Sequence, residues 1–102
     1  MAKHREKLSP IHPGETLRED FLGPLGLSVS RLALELRVPV TRMNDIVHGR
    51  RSITANTALR LGRYFGTSPQ FWMNLQANYD LELAADAVGR EIESQVRPMT
   101  AA

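Results

Sequence analysis

An all-α fold is predicted by three features of this 102-residue chain. Apolar residues recur at helical spacing along the sequence, and no stretch shows the alternation of a strand. Prolines and glycines fall where helix starts and stops require them. Residues 29–48, VSRLALELRVPVTRMNDIVH, read as two short helices joined by a tight turn, the helix-turn-helix pattern.

The elements follow in order. Residues 1–10 are polar and charged and are expected to form a flexible N-terminal segment. Pro13 suits a first helical turn, with Glu15 favourable to the helix dipole. Leu17, Phe21 and Leu22 then make a core face, so helix 1 is expected over 13–22, stopped by Gly23, Pro24 and Gly26. Ser28 caps helix 2, which runs to Leu36 with Leu32, Ala33 and Leu36 inward. Ala33 is small where the two helices cross. Pro39 biases Val38 away from helical angles and itself fits the start of helix 3. Met43 and Ile46 turn inward, and Gly49 ends that helix.

Thr54 caps helix 4, whose core face is expected to be Ala55, Ala58, Leu59, Gly62 and Phe65, with Gly66 closing it. Ser68 and Pro69 open helix 5, anchored by Phe71, Trp72, Leu75 and Tyr79 in the core or as dimer contacts. After Leu83 the amphipathicity is weak, so a helix over 84–96 needs a partner. The expected organisation is a five-helix domain over 11–84 and a C-terminal tail over 85–102, partly helical.

With 42% hydrophobic residues, the chain builds one small core. It has no cysteine, which excludes disulfides and thiolate metal sites. MAKHREKL precedes no apolar run, and no stretch approaches the roughly 20 apolar residues of a membrane span. A cytoplasmic protein with no membrane partner is expected. The net charge of +2 hides an asymmetry. Between residues 31 and 63 seven arginines face two acids, a local +5, whereas from residue 64 onward the balance is −3. A basic patch on a helix-turn-helix is the footprint of phosphate binding, and an acidic C-terminal third suggests a second partner.

Helix 3 would therefore lie in a major groove of double-stranded DNA. With Met43 and Ile46 inward, Val40, Thr41, Arg42, Asn44, Asp45 and His48 remain outside. Val40 and the Thr41 methyl suit thymine; Arg42 and Asn44 suit bidentate contacts to guanine and adenine. Arg42 equally suits phosphate. Asp45 either accepts from cytosine or orients a neighbouring arginine. His48, Arg50 and Arg51 form a basic turn around Gly49 suited to phosphate, and Ser28 and Ser30 offer phosphate contacts at the start of helix 2. An enzyme would need His4, His12 or His48 with scattered carboxylates. No two of these histidines have metal-ligand spacing, and Glu19 and Asp20 diverge on a helix. No catalytic residue, cofactor or metal is expected; an RNA-binding module or small ribonuclease is the alternative of that class.

The segments HPGETLREDFLGPLGLS and VTRMNDIVHGRRSITANTALRLGRYFGTSPQFWMNLQANYDLELA resemble the HigA-type antitoxins, a branch of the phage-repressor-like (XRE) helix-turn-helix family. The resemblance runs from Ile11 to Ala84. It implies a five-helix dimeric repressor that binds an inverted repeat in its own operon promoter and neutralises a HigB-type toxin, a ribosome-dependent mRNA endonuclease. It also implies base reading at Val40, Thr41 and Asp45, beside Arg42 and Asn44. Two positions depart from the family pattern: Arg37 replaces the turn glycine and Val29 a phosphate-binding glutamine. No short motif transfers a toxin-binding surface. A stand-alone helix-turn-helix regulator without a toxin is the alternative, and a neighbouring gene for a small basic protein separates the two.

Overall fold

Five helices, α1 to α5, occupy a computed structural model that describes residues 9–100, and none of those residues forms a strand. Residues 1–8, His4 among them, and residues 101–102 of the expected tail lie outside the described residues. Side chains close the open N-termini. His12 Nδ1 accepts the Gly14 N–H at 2.8 Å to start α1 (13–25), and Ser28 Oγ accepts the Arg31 N–H at 3.0 Å to start α2 (Val29–Leu36). Pro39 stands at the start of α3 (Val40–Val47). Thr54 caps α4 (Ala55–Phe65), and Ser68 caps α5 (Pro69–Gln95).

The first helix does not stop where its glycine and proline suggest. α1 spans 13–25, as an α turn (Pro13–Thr16), a π turn (Leu17–Leu22) and a last α turn (Gly23–Leu25). In the wide turn the Gly23 N–H reaches back five residues to the Arg18 carbonyl. That widening makes room for the Pro24 ring and absorbs the hydrogen bond proline cannot donate. Gly26, at φ 62°, ends the helix in the left-handed conformation.

α4 presents a core face rotated from the expected one. Ala55 and Leu59 are exposed, while Thr57, Ala58, Leu61 and Gly62 are buried and Phe65 is half-buried. Burying Thr57 is tolerable because its hydroxyl and N–H both meet Thr54 Oγ1. α5 is also longer than expected. It continues without a break from Pro69 to Gln95, so residues 84–95 are helical although their side chains are mostly exposed.

The core gathers Leu17 from α1, Leu32, Ala33 and Leu36 from α2, and Met43, Ile46 and Val47 from α3. α5 closes it with Trp72, which is fully buried against Phe21 at 5.0 Å and donates its indole N–H to Thr67 Oγ1 at 2.8 Å. Two close backbone approaches set the spacing. A Cβ on Gly62 would come within 2.8 Å of the Thr67 carbonyl oxygen. A Cβ on Gly14 would collide with the Ile46 carbonyl and meet Val47 Cα at 2.9 Å, so α1 lies directly on the back of α3.

Gly14→Ala is therefore expected to destabilise the chain by about 3 kcal/mol, the upper end for overpacking a tight contact. Gly26→Ala meets open space and bears only the left-handed backbone penalty of about 1 kcal/mol. Thermal unfolding followed by circular dichroism checks the order; equal losses at the two sites would contradict the close α1–α3 contact.

Candidate nucleic-acid interface

α3 divides its side chains between two duties. Met43, Ile46 and Val47 are buried, whereas Val40, Thr41 and Asn44 are exposed and Arg42 and Asp45 half-exposed. None of the five positions expected to read bases is buried, although Val40 and Arg42, two residues apart, project on different sides of the helix. Ser28, Ser30, His48, Arg50 and Arg51 are exposed as well, at the start of α2 and in the loop after α3. The Ser28 hydroxyl already serves as the α2 cap.

The α2–α3 turn holds a left-handed residue. Arg37, at φ 62°, is the one non-glycine with positive φ among the described residues. It ends α2 as a glycine would, its neighbour Val38 donating to the Ala33 carbonyl at 3.1 Å. The side chain makes that conformation costlier than glycine by about 1 kcal/mol. The turn geometry survives the departure from the family pattern.

Hydrogen bonds sort the seven central arginines. Asp45 Oδ1 accepts from Arg50 Nε at 3.2 Å and from its terminal nitrogen at 3.0 Å, so in this structure Asp45 orients an arginine. Arg31 pairs with Glu35 at 2.9 Å. Arg60 turns inward, donating to the Leu36 carbonyl and to Asn56 Oδ1, each at 2.9 Å. Among the described residues Arg37, Arg42, Arg51 and Arg63 meet no carboxylate within ion-pair distance. Arg42 and Arg51 line a depression of about 280 Å³ with Ser52, Thr54 and Asn56 at the start of α4. Ser52, Thr54 and Asn56 escape a sequence reading because only the folded loop brings Arg42 of α3 beside them.

The loop after α3 is held from behind. His12, at the start of α1, stacks edge-on against Tyr79 of α5 with ring centroids 4.9 Å apart, and its ring faces Gly49. Gln76 of α5, itself buried, accepts the Ile53 N–H at 2.8 Å and donates to Asp80 at 3.0 Å. Burial pushes the His12 imidazole below its usual pKa, opposed by a backbone hydrogen bond to Arg51 and by the Asp80 carboxylate.

The expected dimer residues part company. Trp72 is wholly inside the chain's own core, leaving it no surface for a second copy, and that expectation is corrected. Phe71 is partly exposed beside Trp72, and Tyr79 is half-buried on His12. The larger bare apolar surface lies further along α5, where Leu81 is 67% exposed and Ile92 49%, with Val88 between them. These residues recur at seven- and four-residue steps along one side of the helix. No helix of the described residues is long and apolar enough to cross a membrane. Those residues also hold no group of three or more histidine, cysteine, aspartate or glutamate side chains that would bind a metal ion.

No protein-family model matches the chain. Its fold is similar to the antitoxin HigA of Pseudomonas aeruginosa, solved with the higBA promoter, at 50% identity and a TM-score of 0.87, covering 89% of this chain and 99% of that one. It is similar to an addiction module antidote protein of the HigA family from Coxiella burnetii at 47% identity and a TM-score of 0.86, covering 90% and 100%. Among curated proteins, virulence-associated protein I of Dichelobacter nodosus is 52% identical over 80 residues, covering 78% of this chain and 74% of that protein.

His12 generates a pH test. Its pKa in the folded chain lies below the unfolded value near 6.5, so the unfolded chain takes the proton first. Stability present above pH 6.5 is lost as pH falls from there toward the folded pKa. His12→Asn supplies a capping oxygen in place of Nδ1 and removes the titration. The wild-type melting temperature is expected to fall more between pH 7 and 5 than that of the variant, and the NMR titration midpoint of His12 to lie below 6.5; parallel pH profiles would contradict this.

Proposed function

The chain belongs to the HigA antitoxin family, and from that premise we propose that it is the antitoxin of a type II toxin-antitoxin pair. It binds an inverted repeat in double-stranded operator DNA as a homodimer, represses its own operon and neutralises a HigB-type mRNA endonuclease. One observation carries the DNA half of this reading. The outward face of α3 holds Val40, Thr41, Arg42, Asn44 and Asp45 clear of the core, and the Arg50–Arg51 loop flanks it where phosphates would run. The Pseudomonas aeruginosa relative, solved with promoter DNA, supports it. A binding role without catalysis, in the cytoplasm where the operator lies, accords with relatives that are antitoxins and transcriptional regulators.

Ser28, Ser30, His48, Arg50 and Arg51 are assigned to phosphate contacts, with Asp45 setting the Arg50 guanidinium. Arg42 reaches either a base edge or, through the depression at α4, the backbone. The dimer is assigned to α5. Phe71 and Tyr79 contribute at its start, and the exposed stripe of Leu81, Val88 and Ile92 supplies most of the apolar area. A two-fold pair would set the α3 helices about 34–36 Å apart, one turn of DNA. Glu82, Asp86 and Glu93, which share one side of the same helix, offer a basic toxin an acidic surface.

Duplex affinity is expected to fall by orders of magnitude between about 50 and 200 mM salt. Arg50→Ala with Arg51→Ala should weaken operator and unrelated duplexes alike. A changed base preference with unchanged nonspecific affinity would contradict the phosphate assignment. Deleting residues 85–102 is expected to give a monomer by light scattering that protects a single half-site, whereas a truncated chain that stays dimeric would move the interface off the end of α5. Co-expression with the product of the neighbouring reading frame tests neutralisation: restored growth is expected, and a product without toxicity would leave a stand-alone regulator.

A further inference from the structure

At the C-terminal end of α3 one backbone carbonyl depends on a side chain from another helix. The last carbonyls of any helix lack donors from within it. In α3 the chain just beyond supplies three of the four: the His48 N–H donates to Asn44 at 3.2 Å, Gly49 to Ile46 at 3.0 Å and Arg50 to Asp45 at 2.8 Å. Val47 is left over. Its carbonyl oxygen accepts instead from Arg18 of α1, whose Nη1 stands 2.6 Å away across 29 residues of sequence. A cation there also meets the negative end of the helix dipole.

The reach depends on where α1 lies. Gly14 and Arg18 are one turn apart and face the same way. Gly14 sits against the backbone of Ile46 and Val47, so Arg18 needs only its own length to span the gap. The guanidinium, half exposed and also paired with Glu19 through Nε at 3.2 Å, meets α3 at its C-terminal end, where Val47 is the last residue. Arg60 makes the equivalent bond at the end of α2, to the Leu36 carbonyl.

We propose that Arg18 is a positioning residue for sequence discrimination: it fixes the tilt of α3 in the groove through Val47 and touches no nucleotide. This rests on the reading of α3 as the DNA-contacting helix. Base-edge hydrogen bonds tolerate little displacement, whereas phosphate attraction is long-ranged and forgiving. Loosening α3 therefore erodes specific binding first.

Arg18→Met keeps the stem and loses the donors, and Arg18→Lys restores a cation with a shorter, less directional reach. Each full-length variant is titrated with a duplex bearing the inverted repeat recovered by selection from a random pool, and with a scrambled duplex of equal length, across a salt series. Arg18→Met is expected to lose about tenfold on the selected duplex and less than twofold on the scrambled one, with an unchanged salt slope and Arg18→Lys in between. Equal losses on both duplexes with a shallower slope would make Arg18 a phosphate ligand and overturn the proposal. A lowered melting temperature with an unchanged affinity ratio would reduce it to a structural cap and overturn it too. Wild type that fails to separate the two duplexes would instead defeat the reading of α3 itself.

Discussion

The contact of α1 on the back of α3, at Gly14, governs the geometry of everything that faces outward. A side chain there would strike the Ile46 carbonyl, so the two backbones touch with nothing between them. Residues on either side of Gly14 then reach α3 and its following loop. His12, two residues before, carries its ring to Gly49 and Tyr79; Arg18, one turn after, carries its guanidinium to Val47. From α5, Gln76 holds Ile53 at the end of the same loop. The C-terminal end of α3 and the loop after it are thus tied to two other helices by hydrogen bonds, while the outward side chains of α3 carry few duties inside the protein. Local rigidity on one side and unspent polar groups on the other are what a DNA-reading helix requires.

Electrostatics divides along the same line. A raw count of charge makes the centre of the chain uniformly basic, but the arginines do different work. Arg18 and Arg60 end helices, where they face carbonyl groups at short range. Arg31 and Arg50 sit in exposed ion pairs, which contribute only about 0.2–1 kcal/mol each, so the Asp45–Arg50 pair matters for direction more than for stability. Arg42 and Arg51, beside the start of α4, meet no carboxylate among the described residues.

Much of this was legible in the residues. Ser28, Thr54 and Ser68 announce three helix starts, Gly26, Gly49 and Gly66 mark left-handed ends, and the inward pair Met43 and Ile46 identifies which face of α3 is left over. What escaped depended on contacts between distant segments. Gly23 and Pro24 look like a stop because the rule for proline assumes an α-helical turn, and the π turn removes that assumption. Leu59 is exposed and Thr57 buried because the α4 face is set by packing against α5 and by a polar cap, neither of which local hydrophobicity encodes. Trp72, beside Phe71 in the sequence, already has the weaker claim to an interface, and its place against Phe21 puts it in the core. The length of α5 was hidden by its weak amphipathicity. The braces from Arg18, Arg60, Gln76 and His12 join residues far apart in sequence and leave no local signal.

Anchoring of α3 at its C-terminal end is tested most directly by native-state amide hydrogen exchange. Gly49, Arg50 and Ile53 are backbone donors in or beside a loop, where rapid exchange is the ordinary outcome. If α1 and α5 hold that loop as described, these three amides exchange only through global unfolding, at the free energy measured for Leu61 in the core of α4. Exchange as fast as that of Arg97, Met99 and Thr100, beyond the end of α5, would show the loop opening on its own and would contradict the anchoring.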